Sequence, residues 1–193
     1  MKKLIIYLFL LLLIAGSTFA QITEKPGKLN HYSFAMGLGW THYINTLEIG
    51  KDNATINSPG LSLRFFWEPE HRLSLGLETG YYRLYKVTNK SYSDLTGKVT
   101  MSAVPLMLTV RMRIIDRLYL STGAGLAVML NNVSGIDSEI SSTILSMSNY
   151  QFSASYIRPL TRKLQAGAEF KFYNFGKTAD WIYGLQLFCA VRL

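Results

Sequence analysis

Residues 181–193 read WIYGLQLFCAVRL. Every second residue is apolar: Trp181, Tyr183, Leu185, Leu187, Cys189, Val191 and Leu193. Between them lie Ile182, Gly184, Gln186, Phe188, Ala190 and Arg192. Successive side chains of a strand point to opposite faces, so this is a strand with one continuous apolar face. Residues 164–174 repeat the design, with Leu164, Ala166, Ala168, Phe170 and Phe172 set against Gln165, Gly167, Glu169, Lys171 and Tyr173. A face carrying Gln, Glu and Lys backs a face of hydrocarbon. Such a strand suits a position with lipid on one side and a polar lumen on the other.

Six earlier segments follow the same rule. They span 32–41, 60–67, 72–85, 104–114, 118–130 and 149–157. In the first, Tyr32, Phe34, Met36, Leu38 and Trp40 oppose Ser33, Ala35, Gly37, Gly39 and Thr41. In the fourth, Leu106, Leu108, Val110, Met112 and Ile114 oppose Pro105, Met107, Thr109, Arg111 and Arg113. Across all eight segments, the charges within the alternating cores fall on one face. A one-residue slip would move every one of them to the apolar side, so the register is strongly specified.

The connections alternate in length. Those at 68–71, 116–117 and 159–162 are short, while 42–59, 86–101, 131–148 and 174–180 are longer and polar. Tyr32, Trp40, Trp67, Tyr81, Tyr150, Tyr156, Trp181 and Tyr183 lie near strand ends on the apolar face, as interfacial aromatics do. The pattern predicts an all-β, eight-stranded antiparallel up-and-down transmembrane β-barrel. Short turns then face the periplasm with both termini, and four longer loops face outward.

The N-terminus, MKKLIIYLFLLLLIAGSTFAQ, reads as a cleaved secretory signal peptide over 1–20. Its apolar core is far shorter than the roughly 20 residues of a spanning helix. Residues 21–30 read as a periplasmic linker and 31–193 as the barrel domain. The formal charge of +8 includes Lys2 and Lys3, which leave with the signal peptide. The rest of the basicity is spread over the lumen and the periplasmic turns, so no exposed stripe suits nucleic acid. Cys189 is the sole cysteine, which precludes an intramolecular disulfide.

Ala103-Val104-Pro105-Leu106-Met107-Leu108, followed by Thr109-Val110-Arg111, resembles the fourth-strand signature of small outer-membrane barrels of the PorT-like, OmpX/OmpA type. Leu75-Gly76-Leu77-Glu78-Thr79-Gly80-Tyr81 resembles that family's third strand, and Gly60-Leu61-Ser62-Leu63 its second. The likeness runs over essentially the whole chain after the signal peptide. It implies an outer-membrane protein of a Gram-negative cell envelope, surrounded by lipid and lipopolysaccharide and inserted by the barrel assembly machinery. It carries no catalytic residues. Family members usually end in Phe or Trp, whereas this chain ends in Leu193.

An eight-stranded barrel has an interior just wide enough for side chains to fill. Buried charges there need partners. Simple antiparallel pairing predicts an Arg64–Glu78–Arg111 ion cluster and a second group of Gln151, Lys171, Glu169 and Gln186. Catalysis is poorly served. His31 and His71 belong to the periplasmic end, and only His42 sits at the outer rim, within reach of Glu48, Asp52 or a loop serine. There is no His-x-His pair and no second cysteine for a metal. The triplets at Asn53, Asn89 and Asn132 match a glycosylation pattern that has no force in a bacterial loop.

The reading that follows is a non-enzymatic integral outer-membrane barrel with a filled, porin-like scaffold. Its outward loops serve envelope integrity, adhesion or an unknown partner, without cofactor, metal, catalytic site or nucleic acid. The alternatives are a narrow channel or small-solute transporter, a rim enzyme acting on lipid, and a soluble lipocalin-type barrel. The last requires the apolar face inward and a Gly-x-Trp start, whereas the chain has Gly37-Leu38-Gly39-Trp40. Residues 140–147 hold Ile144, Leu145 and Met147, which predicts that the fifth and sixth strands extend above the membrane.

Overall fold

The structure is a computed structural model that describes residues 30–44, 54–69, 72–90, 96–134, 139–176 and 180–193. The predicted leader and nearly all of the linker lie outside the described residues, as do His71, Glu48, Asp52 and Asn53.

Eight long strands form the wall: β1 (His31–Ile44), β2 (Asn57–Glu68), β3 (Leu73–Lys90), β4 (Thr96–Ile115), β5 (Leu118–Ser134), β6 (Glu139–Pro159), β7 (Leu164–Phe175) and β8 (Asp180–Arg192). A two-residue segment, Ala54–Thr55, adds a short ladder to the outer end of β3. Each strand pairs antiparallel with its sequence neighbour, and β1 pairs with β8 from Ser33↔Arg192 to Ile44↔Trp181. That last ladder closes the sheet, so the described wall is an all-β, eight-stranded antiparallel barrel.

The predicted face of each strand is the observed one, and it places hydrocarbon outside. Leu108 is 63 % exposed and Leu187 70 %, while their inward neighbours Met107 and Phe188 are 0 % and 4 % exposed. A water-soluble barrel has the reverse polarity, which removes the lipocalin-type reading. Aromatic pairs brace the outer surface, among them Tyr32 on Phe65 at 5.7 Å and Phe172 on Trp181 at 4.7 Å. Cys189 is exposed on this apolar face.

Strand ends depart from the sequence reading. Residues 86–90 and 96–101 were expected in a loop but continue β3 and β4 as far as Lys90↔Thr96. The predicted extension of β5 and β6 is present and runs to Ser134↔Glu139. Polar, loop-like residues with no apolar partner face carry no alternation to read, yet their backbones complete ladders begun lower down. On the other side, β6–β7 pairing starts only at Asn149↔Phe175. Four consecutive strands, β3 to β6, therefore project beyond the barrel as one sheet.

Bulges adjust this projection. The β3–β4 register shifts between Arg83 and Tyr85, and the intervening Leu84 is fully buried. A second shift, between Gly125 and Ala127, brings Asn149 and Ser146 to face them, so β6 carries the extra residue. An extra residue bends a strand and re-aims its side chains. The short turns tighten by local bonds: Thr161 Oγ1 accepts from Leu164 N at 3.0 Å and from Lys163 N at 3.3 Å.

Two glycines make room for the ring of Tyr82. A Cβ on Gly60 would lie 2.9 Å from Tyr82 Cδ1, and one on Gly80 2.9 Å from its Cε2. The tyrosine ring covers both glycines and is itself 1 % exposed. Gly97, by contrast, has nothing within 4 Å of an added Cβ. Gly60→Val should destabilise the refolded barrel by about 1–3 kcal/mol through overpacking, whereas Gly97→Ala should leave it unchanged. Urea titration of protein folded into lipid vesicles checks both, and equal stability of the two variants would refute this packing account.

Candidate functional site

The lumen is filled in layers. At the outer end lies an apolar roof that includes Tyr82, Leu84, Met101, Met129, Phe175 and Ile182. Composition hid this layer, because its residues come from the polar-phase face and from strand ends read as loops. Methionine fills irregular gaps well. The two tyrosines hold their polar tips together, with Tyr82 Oη 3.1 Å from Tyr173 Oη.

Below the roof sits a four-charge network. Glu78 of β3 pairs with Lys171 of β7 and also accepts from Tyr173 Oη at 2.7 Å and from Gln151 Nε2 at 2.9 Å. Lys171 Nζ lies 3.3 Å from Glu169 Oε2, which Arg64 Nη1 approaches to 2.8 Å. Gln151 also donates to Thr109 Oγ1 at 2.7 Å. Side chains from β2, β3, β4, β6 and β7 thus meet at the axis. All four ionised groups are at least 96 % removed from solvent. Two positive and two negative charges balance, which is the condition for tolerating ions at such burial.

Here the sequence expectation needs correction. Arg64 stands directly across the ladder from Glu78, but its ion pair is with Glu169. Arg111 is opposite Ser74 and takes no part in the central network. Side chains on neighbouring strands run parallel from the wall, while those on opposite walls meet tip to tip at the axis. Long ions in a narrow barrel therefore pair across the lumen. The two predicted groups become one, from which Gln186 stands apart: its Oε1 accepts from Ser62 Oγ at 2.6 Å.

The network rests on a smaller apolar layer of Ala35, Ile157, Phe188 and Ala190. Arg64 lies over the Phe188 ring at 4.5 Å, and Arg111 over Phe66 at 4.0 Å. At the turn end, Glu68 accepts from Arg111 Nη2 at 2.7 Å, Arg192 Nη2 at 3.0 Å and Ser33 Oγ at 3.0 Å. Sequence reasoning placed Glu68 in a turn. It instead ends β2 facing the lumen, in phase with Arg64 and Phe66, a signal present in the alternation two residues earlier. A cavity of about 10 Å³ beside Lys171, Tyr82 and Gln186 has room for roughly one water.

The other candidates are scattered. His31 opens β1 at the turn end. His42 lies on the outer side, its Nδ1 2.7 Å from Asn57 Oδ1 and its ring 4.9 Å from that of Tyr183. Its described hydrogen-bond partner is the side-chain amide of Asn57. Among the described residues no group of three His, Cys, Asp or Glu side chains is placed to hold a metal. Arg117, in the β4–β5 turn, donates to Tyr156 Oη at 3.3 Å, and this bond holds its pKa above the ordinary value.

No protein-family model and no curated protein matches the chain. Solved structures do. The chain is similar to Ail, the attachment invasion locus protein of Yersinia pestis, at a TM-score of 0.54 and 12 % identity, over 86 % of this chain and 100 % of that one. A second Ail structure, in complex with the heparin analogue sucrose octasulfate, matches at 0.52 and 13 %, with the same coverage. The N-terminal β-barrel domain of Pseudomonas aeruginosa OprF follows at 0.49 and 14 %. The likeness to Ail places the fold among small eight-stranded barrels of outer-membrane proteins.

Lys171→Leu should cost about 3–5 kcal/mol, because it leaves the network with excess buried negative charge. Glu78→Leu combined with Lys171→Leu leaves the neutral Arg64–Glu169 pair and should recover part of that loss. Unfolding of the two variants in urea decides it; a double variant no more stable than Lys171→Leu would rule out charge balance as the network's role.

Proposed function

We propose that the chain is a non-enzymatic integral protein of a Gram-negative outer membrane, a braced scaffold whose outward strands and loops contact a partner outside. The projecting sheet is the observation that carries this reading. On its outer side the apolar row ends at Leu130 of β5 and Leu145 of β6, and exposed Asn132, Ser141 and Thr143 follow. That switch marks the upper edge of the hydrocarbon belt, so β3 to β6 continue into water. A long sheet held clear of the bilayer is of no use to insertion, and it suits adhesion or partner binding in the service of envelope integrity.

The ligand named with Ail, a heparin analogue, belongs to that protein. For this chain the partner of the loops is a protein or glycan of unassigned identity. The PorT-like and OmpX/OmpA-type resemblance, the signal peptide over 1–20 and the linker over 21–30 support export to the outer membrane. Lipid and lipopolysaccharide then surround the wall, and the assembly machinery inserts it by its last strand. The packed roof and the central ions favour a brace over a channel.

Two measurements test this. The refolded barrel should migrate faster on a detergent gel before boiling than after, since a closed barrel resists unfolding until heated. In planar bilayers it should show no discrete conductance steps. Absence of the heat shift, with solubility after detergent removal, would overturn the membrane assignment. Regular steps would replace the brace with the channel reading.

A further inference from the structure

The turn end of the barrel holds a group of cations that the lumen does not use. Arg72, Arg113, Arg117, Arg158, Arg162 and Lys163 lie along the arc from β3 to β7. The backbone brings them together. Arg113 N donates to Arg72 O at 2.7 Å, and Ile157 N donates to Arg117 O at 2.8 Å, which sets Arg158 beside Arg117. The tight turn after β6 adds Arg162 and Lys163. Arg117, Arg158, Arg162 and Lys163 are exposed and form the outer part of the arc; Arg72 is half-buried, as is Arg113, which is in phase with Arg111 at the mouth of the lumen.

Charge on this arc is unbalanced. None of the six forms an ion pair with a described residue, for Glu68 is held by Arg111 and Arg192. Asp116 and the terminal carboxylate of Leu193 are the other described carboxylates at this end. The exposed cations of the turns also border hydrocarbon directly. Ile115 is 66 % exposed and Leu160 56 %, and Arg117 is tied to the outward-facing Tyr156. On the membrane reading above, on which this inference rests, that border is the headgroup level of the periplasmic leaflet.

We propose that this arc is a collar that binds the phosphate groups of anionic phospholipids. A guanidinium presents a planar fork that matches a phosphate bidentately. Several such groups beside an apolar wall, with a tyrosine hydroxyl between them, fit a headgroup whose acyl chains lie along the same wall. A lone exposed arginine would be satisfied by water; six cations, four of them exposed, against Asp116 and the terminal carboxylate of Leu193 select net negative charge. The collar thereby sets the depth of the barrel in the bilayer from the periplasmic side.

The test uses the full mature chain folded into phosphatidylcholine bilayers doped with phosphatidylglycerol. Lipids retained on the protein are counted by native mass spectrometry. Phosphatidylglycerol should be enriched over its share of the bilayer, by roughly fivefold for each cation that engages a headgroup. The double variant Arg117→Gln, Arg158→Gln should lose most of that enrichment, and Lys98→Gln, at the opposite end, should keep it. Equal enrichment in the double variant, with its heat-dependent gel shift intact, overturns the collar alone. A wild-type chain that never inserts overturns the membrane reading and the collar together.

Discussion

The ladder between β1 and β8 is the constraint on which the rest depends. It joins the two ends of the chain's described wall over Ser33↔Arg192 to Ile44↔Trp181. Within hydrocarbon every backbone N–H and C=O needs an internal partner, and an open sheet leaves a row of them bare. Closure removes that row. It also makes an inside, and a narrow one, so that each inward side chain must fit against those of the opposite wall.

That narrowness explains the chemistry of the lumen. Eight strands leave room for no more than about one water, beside Lys171, so Glu78, Glu169, Arg64 and Lys171 largely serve as one another's solvent. They are stacked between an apolar roof and a smaller apolar floor, which excludes water and strengthens each contact. The same arrangement makes the network an interlock. The hydrogen bonds that Glu78 accepts join residues 73 to 95 apart in sequence, and they form only when the far walls have met. A second interlock at the turn end, centred on Glu68, ties β1, β2, β4 and β8.

The two ends of the barrel serve different surroundings. At the outer end four strands outrun the apolar belt and present polar outer surface above it. At the turn end the wall stops abruptly in short turns and gathers cations at the belt's lower edge.

The count of strands, their antiparallel order and the face each turns outward were legible in the chain alone. Alternation has a period of two and is local: Leu185, Leu187 and Cys189 reveal an outer face without reference to any other strand. Aromatic placement and the alternation of loop lengths then give the belt and its polarity. Which inward ions pair was decided by the tertiary structure. Arg64 chooses Glu169 over the Glu78 beside it, because neighbouring side chains run parallel and opposite ones meet at the axis. The reach of β3 and β4 past the belt was hidden for a related reason: with polar residues on the outer side there is no two-sided contrast, and only pairing with β5 and β6 makes those residues strands. What a strand shows is written along it; what crosses the barrel depends on stagger and diameter, which no single strand contains.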